Sequence, residues 1–479
     1  MLDSAACYAA LRARDLRFDG RFFVAVRTTR VYCRPICTVK TPKRENCEFY
    51  TNAAAAEARG HRPCLRCRPE LAPGSSSVDA GSRLAQAAAS AIGDGALEGG
   101  SLADLAAALR TTDRHLRRAF NARFGVSPIA YAQTHRLLLA KRLLTDTQLS
   151  VTQVAYASGF GSLRRFNALF KQRYRLNPAN LRARAQTTSL DSQFDAMAFT
   201  LAFRPPYDWP SLLAFLGART ICGVEEVGEG VYRRALRVER GRAVSSGWIE
   251  VSFAEGAPAL RVLVSGSLLS VISSVLARVE HVMDLAADPQ EIAAVLGPIA
   301  ARRPGLRVPG AFDGFEVAVR AVIGQQISVK GARTIAGRFA EAFGTQIATP
   351  FAGVSTLFPR ARDVADVNPD RIAALGIIGA RARTIVSLAR AIARGELDLH
   401  PRSDVPATLR ALQAIPGIGE WTAQYIVMRA VGWPDAFPHS DLGLRKALHE
   451  NDPKRVLMAG EAWRPWRAYA TMHLWHRLG

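Results

Sequence analysis

The rhythm of apolar positions changes several times along the chain, and each change marks a boundary. Ala72-Pro73-Gly74-Ser75-Ser76-Ser77 is a small, polar, turn-rich run that cannot pack a core, so it reads as a linker. Beyond it, residues 83–184 repeat apolar positions at helical spacing, with many arginines between them. Within that stretch, residues 102–124 and 151–175 share one outline. A second polar run, Gln186-Thr187-Thr188-Ser189-Leu190-Asp191-Ser192-Gln193, closes it. From 194 to 300 the pattern becomes mixed: residues 231–239, 248–253 and 260–264 are β-branched or aromatic runs that predict antiparallel strands, and 270–285 has helical spacing. From about 310 to 479 the pattern is almost wholly helical, broken by short Gly and Pro turns. No apolar run is long enough for a membrane span. The start, Met1-Leu2-Asp3-Ser4, lacks the basic and apolar regions of a secretory signal.

Composition refines this picture. The 479 residues suggest about three to five domains, and 49% hydrophobic residues supply several cores. The net charge of +22 points to a polyanionic partner, most often nucleic acid. Residues 1–190 hold 30 basic and 13 acidic side chains, a net of +17, which leaves +5 for the rest. The first part should therefore dominate long-range attraction. Seven cysteines are too few for a disulfide scaffold, so the chain is expected in a reducing, cytoplasmic compartment.

Six of the seven cysteines precede residue 68. Cys33-Arg34-Pro35-Ile36-Cys37 and Cys64-Leu65-Arg66-Cys67 form two close pairs separated by 26 residues. Four thiolates on two short knuckles suit one tetrahedral Zn²⁺. Cys7, Cys47 and Cys222 lack such partners and are expected to be structural. Phe22-Phe23-Val24-Ala25-Val26-Arg27-Thr28-Thr29-Arg30-Val31-Tyr32 leads into the first pair, and Arg62-Pro63 into the second. This region resembles the N-terminal domain of the Ada DNA repair proteins. The resemblance implies that Cys33, Cys37, Cys64 and Cys67 bind zinc. It further implies that Cys33 accepts a methyl group irreversibly from a methyl phosphotriester in DNA, with Arg62 a DNA contact. Zinc keeps a bound thiol deprotonated, and the thiolate is the nucleophile. Methylating one of four thiolates takes the site from a formal −2 to −1, which weakens its repulsion of phosphate and should strengthen DNA binding.

In the Arg-rich middle, Ser101-Leu102-Ala103-Asp104-Leu105-Ala106 and Arg114-His115-Leu116-Arg117-Arg118-Ala119-Phe120 read as helix, turn and basic second helix. Val151-Thr152-Gln153-Val154-Ala155 and Leu163-Arg164-Arg165-Phe166-Asn167-Ala168-Leu169-Phe170-Lys171 repeat the plan. Between them, Ser127 as N-cap and Pro128 at the first position start a helix running to about residue 144. Ala157-Ser158-Gly159-Phe160 and Phe124-Gly125-Val126-Ser127-Pro128 complete a resemblance to the AraC-family double helix-turn-helix. Arg114, Arg117, Arg118, Arg164, Arg165 and Asn167 are then candidates for groove or phosphate contacts.

Near the C-terminus, Ile415-Pro416-Gly417-Ile418-Gly419-Glu420-Trp421-Thr422 reads as a helix-hairpin-helix. Proline and two glycines permit a tight turn, and amides at the next helix can hold a phosphate. Gly417, Gly419 and Thr422 are the candidate DNA contacts. With Phe437-Pro438-His439-Ser440-Asp441, Ala321-Val322-Ile323-Gly324-Gln325-Gln326-Ile327-Ser328 and Arg204-Pro205-Pro206-Tyr207-Asp208-Trp209, residues 195–479 resemble AlkA-type 3-methyladenine DNA glycosylases. The resemblance implies that Asp441 is the catalytic aspartate, that Trp421, Tyr425 and Trp475 wall the base pocket, and that Gln326 stands at the wedge position. Gln326 replaces the usual Leu, and Leu442 follows Asp441 where a Tyr is expected. Trp421 occupies the place of the Schiff-base Lys of lyase relatives, so base release should leave an abasic site. No Cys follows Cys222, so no iron–sulfur cluster is expected. The resemblance also implies that the carbonyls of Gln413, Ile415 and Ile418 bind a monovalent cation.

The expected architecture is a multidomain α+β chain. A zinc α/β domain spans 1–75, an all-α double helix-turn-helix domain 83–186, an α+β domain 194–305 and an all-α helix-hairpin-helix domain 306–479. The expected function joins a glycosylase for alkylated bases to a methyl-sensing transcriptional activator. The alternative is a regulator whose C-terminal half recognises damage without excising it. Expected partners are double-stranded DNA and RNA polymerase, with no membrane, for a monomer at the nucleoid. No Pro-Cys-His motif is present, so O6-methylguanine transfer is not expected.

Overall fold

The computed structural model describes residues 3–74, 83–184, 196–240, 243–401 and 403–478. The expected linker residues 75–77 and 186–193, and with them the expected domain limits at 75, 186 and 194, lie outside the described residues. The chain divides into two compact units. The first is Met1–Pro205 with Ala254–Ala277 and Leu285–Ala287, and the second is Pro206–Phe253 with Arg278–Asp284 and Asp288–Gly479.

In the first unit, the helix Ser4–Ala13 is capped by Asp3 and lays Cys7, Ala10 and Leu11 against Phe22 and Val24. Four short strands follow in the order Cys47–Tyr50, Phe23–Val26, Val31–Cys33, Arg62–Pro63. The last pairs in parallel with Val31–Cys33, and the Cys64 amide donates to the Tyr32 carbonyl at 2.9 Å. That pairing brings together two cysteine pairs that are distant in sequence.

The helix pairs Leu102–Ala108 with Asp113–Phe124 and Val151–Ala157 with Leu163–Tyr174 flank the long helix Pro128–Asp146. Ser127 caps that long helix and Pro128 opens it, as the sequence predicts. The two second helices bury equivalent positions, Leu116 and Phe120 in one, Phe166 and Phe170 in the other. Their arginines therefore stand on equivalent exposed faces.

Polar groups join the cysteine-rich fold to the long helix. Lys141 donates to Glu70 at 2.5 Å, with both side chains almost wholly buried. Arg68 pairs with Asp146 at 2.7 Å. Glu57 accepts from Tyr32 Oη at 3.1 Å and from Thr134 Oγ1 at 2.9 Å. The strand Ala196–Ala202 pairs antiparallel with Ala259–Ser265, and Arg142 donates to its Thr200 carbonyl at 2.6 Å.

In the second unit, three antiparallel strands, Glu225–Gly228, Val231–Arg240 and Ala243–Phe253, pair in register. The rest is mainly helical. Its core gathers Phe315, Val319 and Val322 from the helix Gly314–Ile323, Ile385 and Leu388 from Gly379–Ala393, and Ile426 and Val427 beyond the hairpin. A two-residue ladder, Thr345–Gln346 with Thr356–Leu357, interrupts a stretch that reads as almost wholly helical. Among the described residues no helix is long and apolar enough to cross a membrane.

Burial pushes the Glu57 carboxyl up to about 7, against the opposing hydrogen bonds from Thr134 and Tyr32 and the charge of Arg173. A raised value favours the folded chain while Glu57 keeps its proton. That contribution is complete below the unfolded carboxylate range and is lost as pH climbs through about 7. The melting temperature of wild type relative to Glu57→Gln is therefore expected to fall between about pH 5 and about pH 8. A difference independent of pH would show that Glu57 does not carry this linkage.

Candidate metal centre, DNA-binding helices and base pocket

The Sγ atoms of Cys33, Cys37, Cys64 and Cys67 lie within 4.8 Å of one another. Sulfurs about 2.3 Å from a tetrahedral Zn²⁺ stand about 3.8 Å apart, so the donor set fits. The Arg34 amide donates to Cys67 Sγ and the Arg66 amide to Cys64 Sγ, each at 3.4 Å, which suits sulfurs carrying negative charge. Contacts among the sulfurs push the Cys33 thiol up and the Cys64 thiol down. Sulfurs this close can all be anionic only around a cation. Cys33 is 6% exposed and Cys37 3%, while Cys67 is half-buried. Arg34 is buried against Asp19, with Nε donating to Oδ1 at 2.9 Å, and anchors the first knuckle. Arg62 is half-buried on the strand beside Cys64.

Arg114, Arg117 and Arg118 are exposed on Asp113–Phe124. With Asp113, Asn121 and Ala122 they line an open surface groove. Arg117 pairs with Asp113 at 2.7 Å, and Arg118 lies 3.3 Å from His115 Nδ1. Arg164, Arg165 and Asn167 are exposed on the equivalent helix.

In the second unit the hairpin joins the helix Val405–Gln413 to Glu420–Ile426. Gly417 has φ +92°, and a Cβ there would meet Thr384 Oγ1 at 2.2 Å, so glycine is required. Gly419 caps the next helix with φ −83°. Both glycines are exposed. Thr422 is 3% exposed. Gln325 Nε2 donates to Gly417 O and to Thr422 Oγ1, each at 3.0 Å, and so ties the hairpin to the turn bearing Gln326. Gln326 is exposed at φ +57°, with Arg381 Nη2 at 3.4 Å from its Oε1. The Ile415 carbonyl accepts from the Ile418 amide at 3.1 Å.

Asp441 caps the helix Leu442–Leu448, Oδ1 accepting from the Leu444 amide at 3.0 Å. Trp475 Nε1 donates to Oδ1 and Trp421 Nε1 to Oδ2, each at 2.8 Å. Three donors on one carboxyl suit a carboxylate, which only accepts. Trp421 and Tyr425 stack at 5.5 Å and 9°, and Tyr425 lies 6.3 Å from Trp475. The three predicted pocket aromatics thus gather around the predicted aspartate.

Residues 6–70 match the metal binding domain of Ada, 105–184 a helix-turn-helix domain, 198–313 the AlkA N-terminal domain and 319–453 the HhH-GPD superfamily of base excision DNA repair proteins. Over 99% of its length the chain is 38% identical to a probable bifunctional transcriptional activator/DNA repair enzyme AlkA of Mycobacterium tuberculosis, covering 97% of that protein. The chain belongs to this AlkA family of bifunctional activator and repair proteins. Its C-terminal part is 34% identical to DNA-3-methyladenine glycosylase 2 of Escherichia coli, over 59% of this chain and 98% of that one. A 3-methyladenine DNA glycosylase from Archaeoglobus fulgidus shares the fold, with a TM-score of 0.50 at 21% identity over 58% of this chain and 97% of that one. The family has a zinc-binding domain and DNA-binding domains, so Zn²⁺ and DNA are this chain's cofactor and partner.

Sequence reasoning missed three supports of these sites. Gln325 braces the hairpin, Arg429 donates to Tyr425 Oη at 2.9 Å, and Gly443 leaves room for the clamp. A Cβ at Gly443 would lie 2.9 Å from Asp441 Oδ1 and 3.1 Å from Trp475 Cδ1. Only Gly443, two residues past Asp441, carried a local signal. Cys222, expected to be structural, is exposed.

Metal analysis of the purified protein is expected to give close to one zinc per chain, and Cys37→Ser to lose most of it and melt earlier. Full zinc content in Cys37→Ser would break the four-thiolate assignment.

Proposed function

We propose that this protein excises alkylated bases from DNA and, separately, senses backbone methylation to activate transcription. The observation that carries the first activity is the Asp441 carboxylate held by two indoles that also wall the pocket. A base flipped from the duplex would stack on Trp421, Tyr425 and Trp475. Asp441 stabilises the oxocarbenium-like sugar as the C1′–N bond breaks. The bond's electron pair leaves with the base, and water adds at C1′ to give an abasic site. Trp421 offers no amine for a lyase step. Gln326 enters the stack at the vacated position. The amides at Gly417 and Gly419 hold phosphate, and buried Thr422 supports that contact through Gln325. The carbonyls of Gln413, Ile415 and Ile418 hold a monovalent cation there, and no iron–sulfur cluster takes part.

For the second activity, bound Zn²⁺ keeps Cys33 as a thiolate. The Cys33 sulfur attacks the methyl carbon of a phosphotriester, the C–O bond breaks, and the phosphodiester oxygen leaves with the electron pair. Arg62 faces the backbone. Arg114, Arg117, Arg118, Arg164, Arg165 and Asn167 contact promoter DNA, and RNA polymerase is recruited to a monomer acting at the nucleoid. The domains divide at 1–75, 83–186, 194–305 and 306–479.

Wild type is expected to release base from N-methylated duplex DNA, and Asp441→Asn to do so at least about a hundredfold more slowly. Background release by both would leave only the regulator. Methyl uptake from phosphotriester DNA is expected to disappear in Cys33→Ala, and uptake retained there would move the acceptor to another cysteine.

A further inference from the structure

The wall behind the base pocket buries more positive charge than its carboxylates balance. Arg234 and Arg320 are matched by Glu225 and Glu316, through contacts of 2.7 Å for Arg234–Glu316 and 2.9 Å for Arg320–Glu225. Arg429, 6% exposed, has no ion-paired carboxylate among the described residues. Its Nε donates to Pro309 O, its Nη2 to Gly310 O at 3.1 Å, and its Nη1 to Tyr425 Oη at 2.9 Å. Arg219 lies 3.8 Å over the Phe215 ring, and Arg429 sits 4.9 Å from that same ring. Arg219 faces the phenol too, and its other titratable neighbours are Arg429, Arg320 and His476. Every polar contact of Tyr425 Oη among the described residues comes from a guanidinium, and none accepts the phenol's own proton. A buried guanidinium without an anion is costly, and a phenolate would remove that cost.

The electrostatics agree. Burial pushes the Tyr425 phenol up, but Arg429, Arg219 and Arg320 outweigh it and the net direction is down. Asp441, held by the neighbouring indoles, is the anion on the pocket's other side.

Resting on the glycosylase reading above, we propose that Tyr425 loses its proton to water when a base occupies the pocket, and that its phenolate, paired with Arg429, selects bases carrying positive charge. A negative ring face attracts a cation more strongly than a neutral phenol does. When the glycosidic bond breaks, its electron pair cancels the base's charge. The phenolate then loses its attraction for the product, takes back a proton, and the base leaves.

Two measurements test this. The first is a tyrosinate absorbance titration of the full protein, wild type minus Tyr425→Phe, which isolates one phenol among ten tyrosines. Ionisation below the ordinary phenol range is expected, and ionisation at or above it overturns the proposal. This arm needs no catalysis. The second compares KM on duplexes bearing 3-methyladenine, a cation, and hypoxanthine, which is neutral. Tyr425→Phe is expected to raise KM for 3-methyladenine about tenfold more than it raises KM for hypoxanthine. In wild type, the same preference should grow with rising pH, which gives a reading independent of the variant. Equal changes on both duplexes would leave Tyr425 as packing and overturn the selection. If wild type releases neither base, the glycosylase reading falls and the selection with it, while the titration still decides whether the phenolate exists.

Discussion

Four side chains form a closed square of charge in the largely buried interior of the second unit. Glu225 comes from the first of its strands, Arg234 from the second, and Glu316 and Arg320 from the helix Gly314–Ile323. Such a group is tolerable only complete, because removing one corner strands a charge without water. It therefore fixes that helix against the strands. The helix leads into Gln325, whose amide holds the Gly417 carbonyl and the Thr422 hydroxyl. The hairpin so placed begins the helix that carries Trp421 and Tyr425. The position of Asp441 is in this sense set many residues away, by a requirement for charge neutrality.

The first unit uses buried polarity differently. Tyr32 adjoins Cys33 in the chain and donates to Glu57, and Glu57 in turn accepts from Thr134 on the long helix between the two helix-turn-helix pairs. Lys141–Glu70 and Arg68–Asp146 brace the same junction. The metal-binding fold and the DNA-reading helices are thereby joined by hydrogen bonds with directions and lengths, which transmit small displacements better than a greasy seam does. The net of +17 over residues 1–190 then sits on a body whose parts are mechanically joined.

What the sequence made legible follows from how local each signal is. Two cysteine pairs need only spacing, and Ser127-Pro128 needs only a cap, so both were readable. The strand Ala196–Ala202 was not, because small residues between its apolar ones hide the alternation. Asp441 was singled out through its match, since an aspartate before a short helix looks like a cap, and the structure shows that it is one. Glu57 stands in a run of alanines and Arg429 in an apolar segment, and nothing beside them in sequence reveals a buried partner. Thr422 lies in the hairpin motif, yet the structure turns its hydroxyl inward to Gln325. Side-chain direction in a turn is decided by tertiary neighbours that a motif does not contain.

The two indoles proposed to wall the pocket are also the donors that hold Asp441. On the proposed reading, recognition surface and reactive group are one mechanical part. A mutation that trims either tryptophan to admit a bulkier base would also let the carboxylate swing, so breadth of substrate and speed of bond cleavage cannot drift apart. Lineages that widen the repertoire would have to do so from the opposite side of the pocket, through residues that touch the base and leave the acid alone.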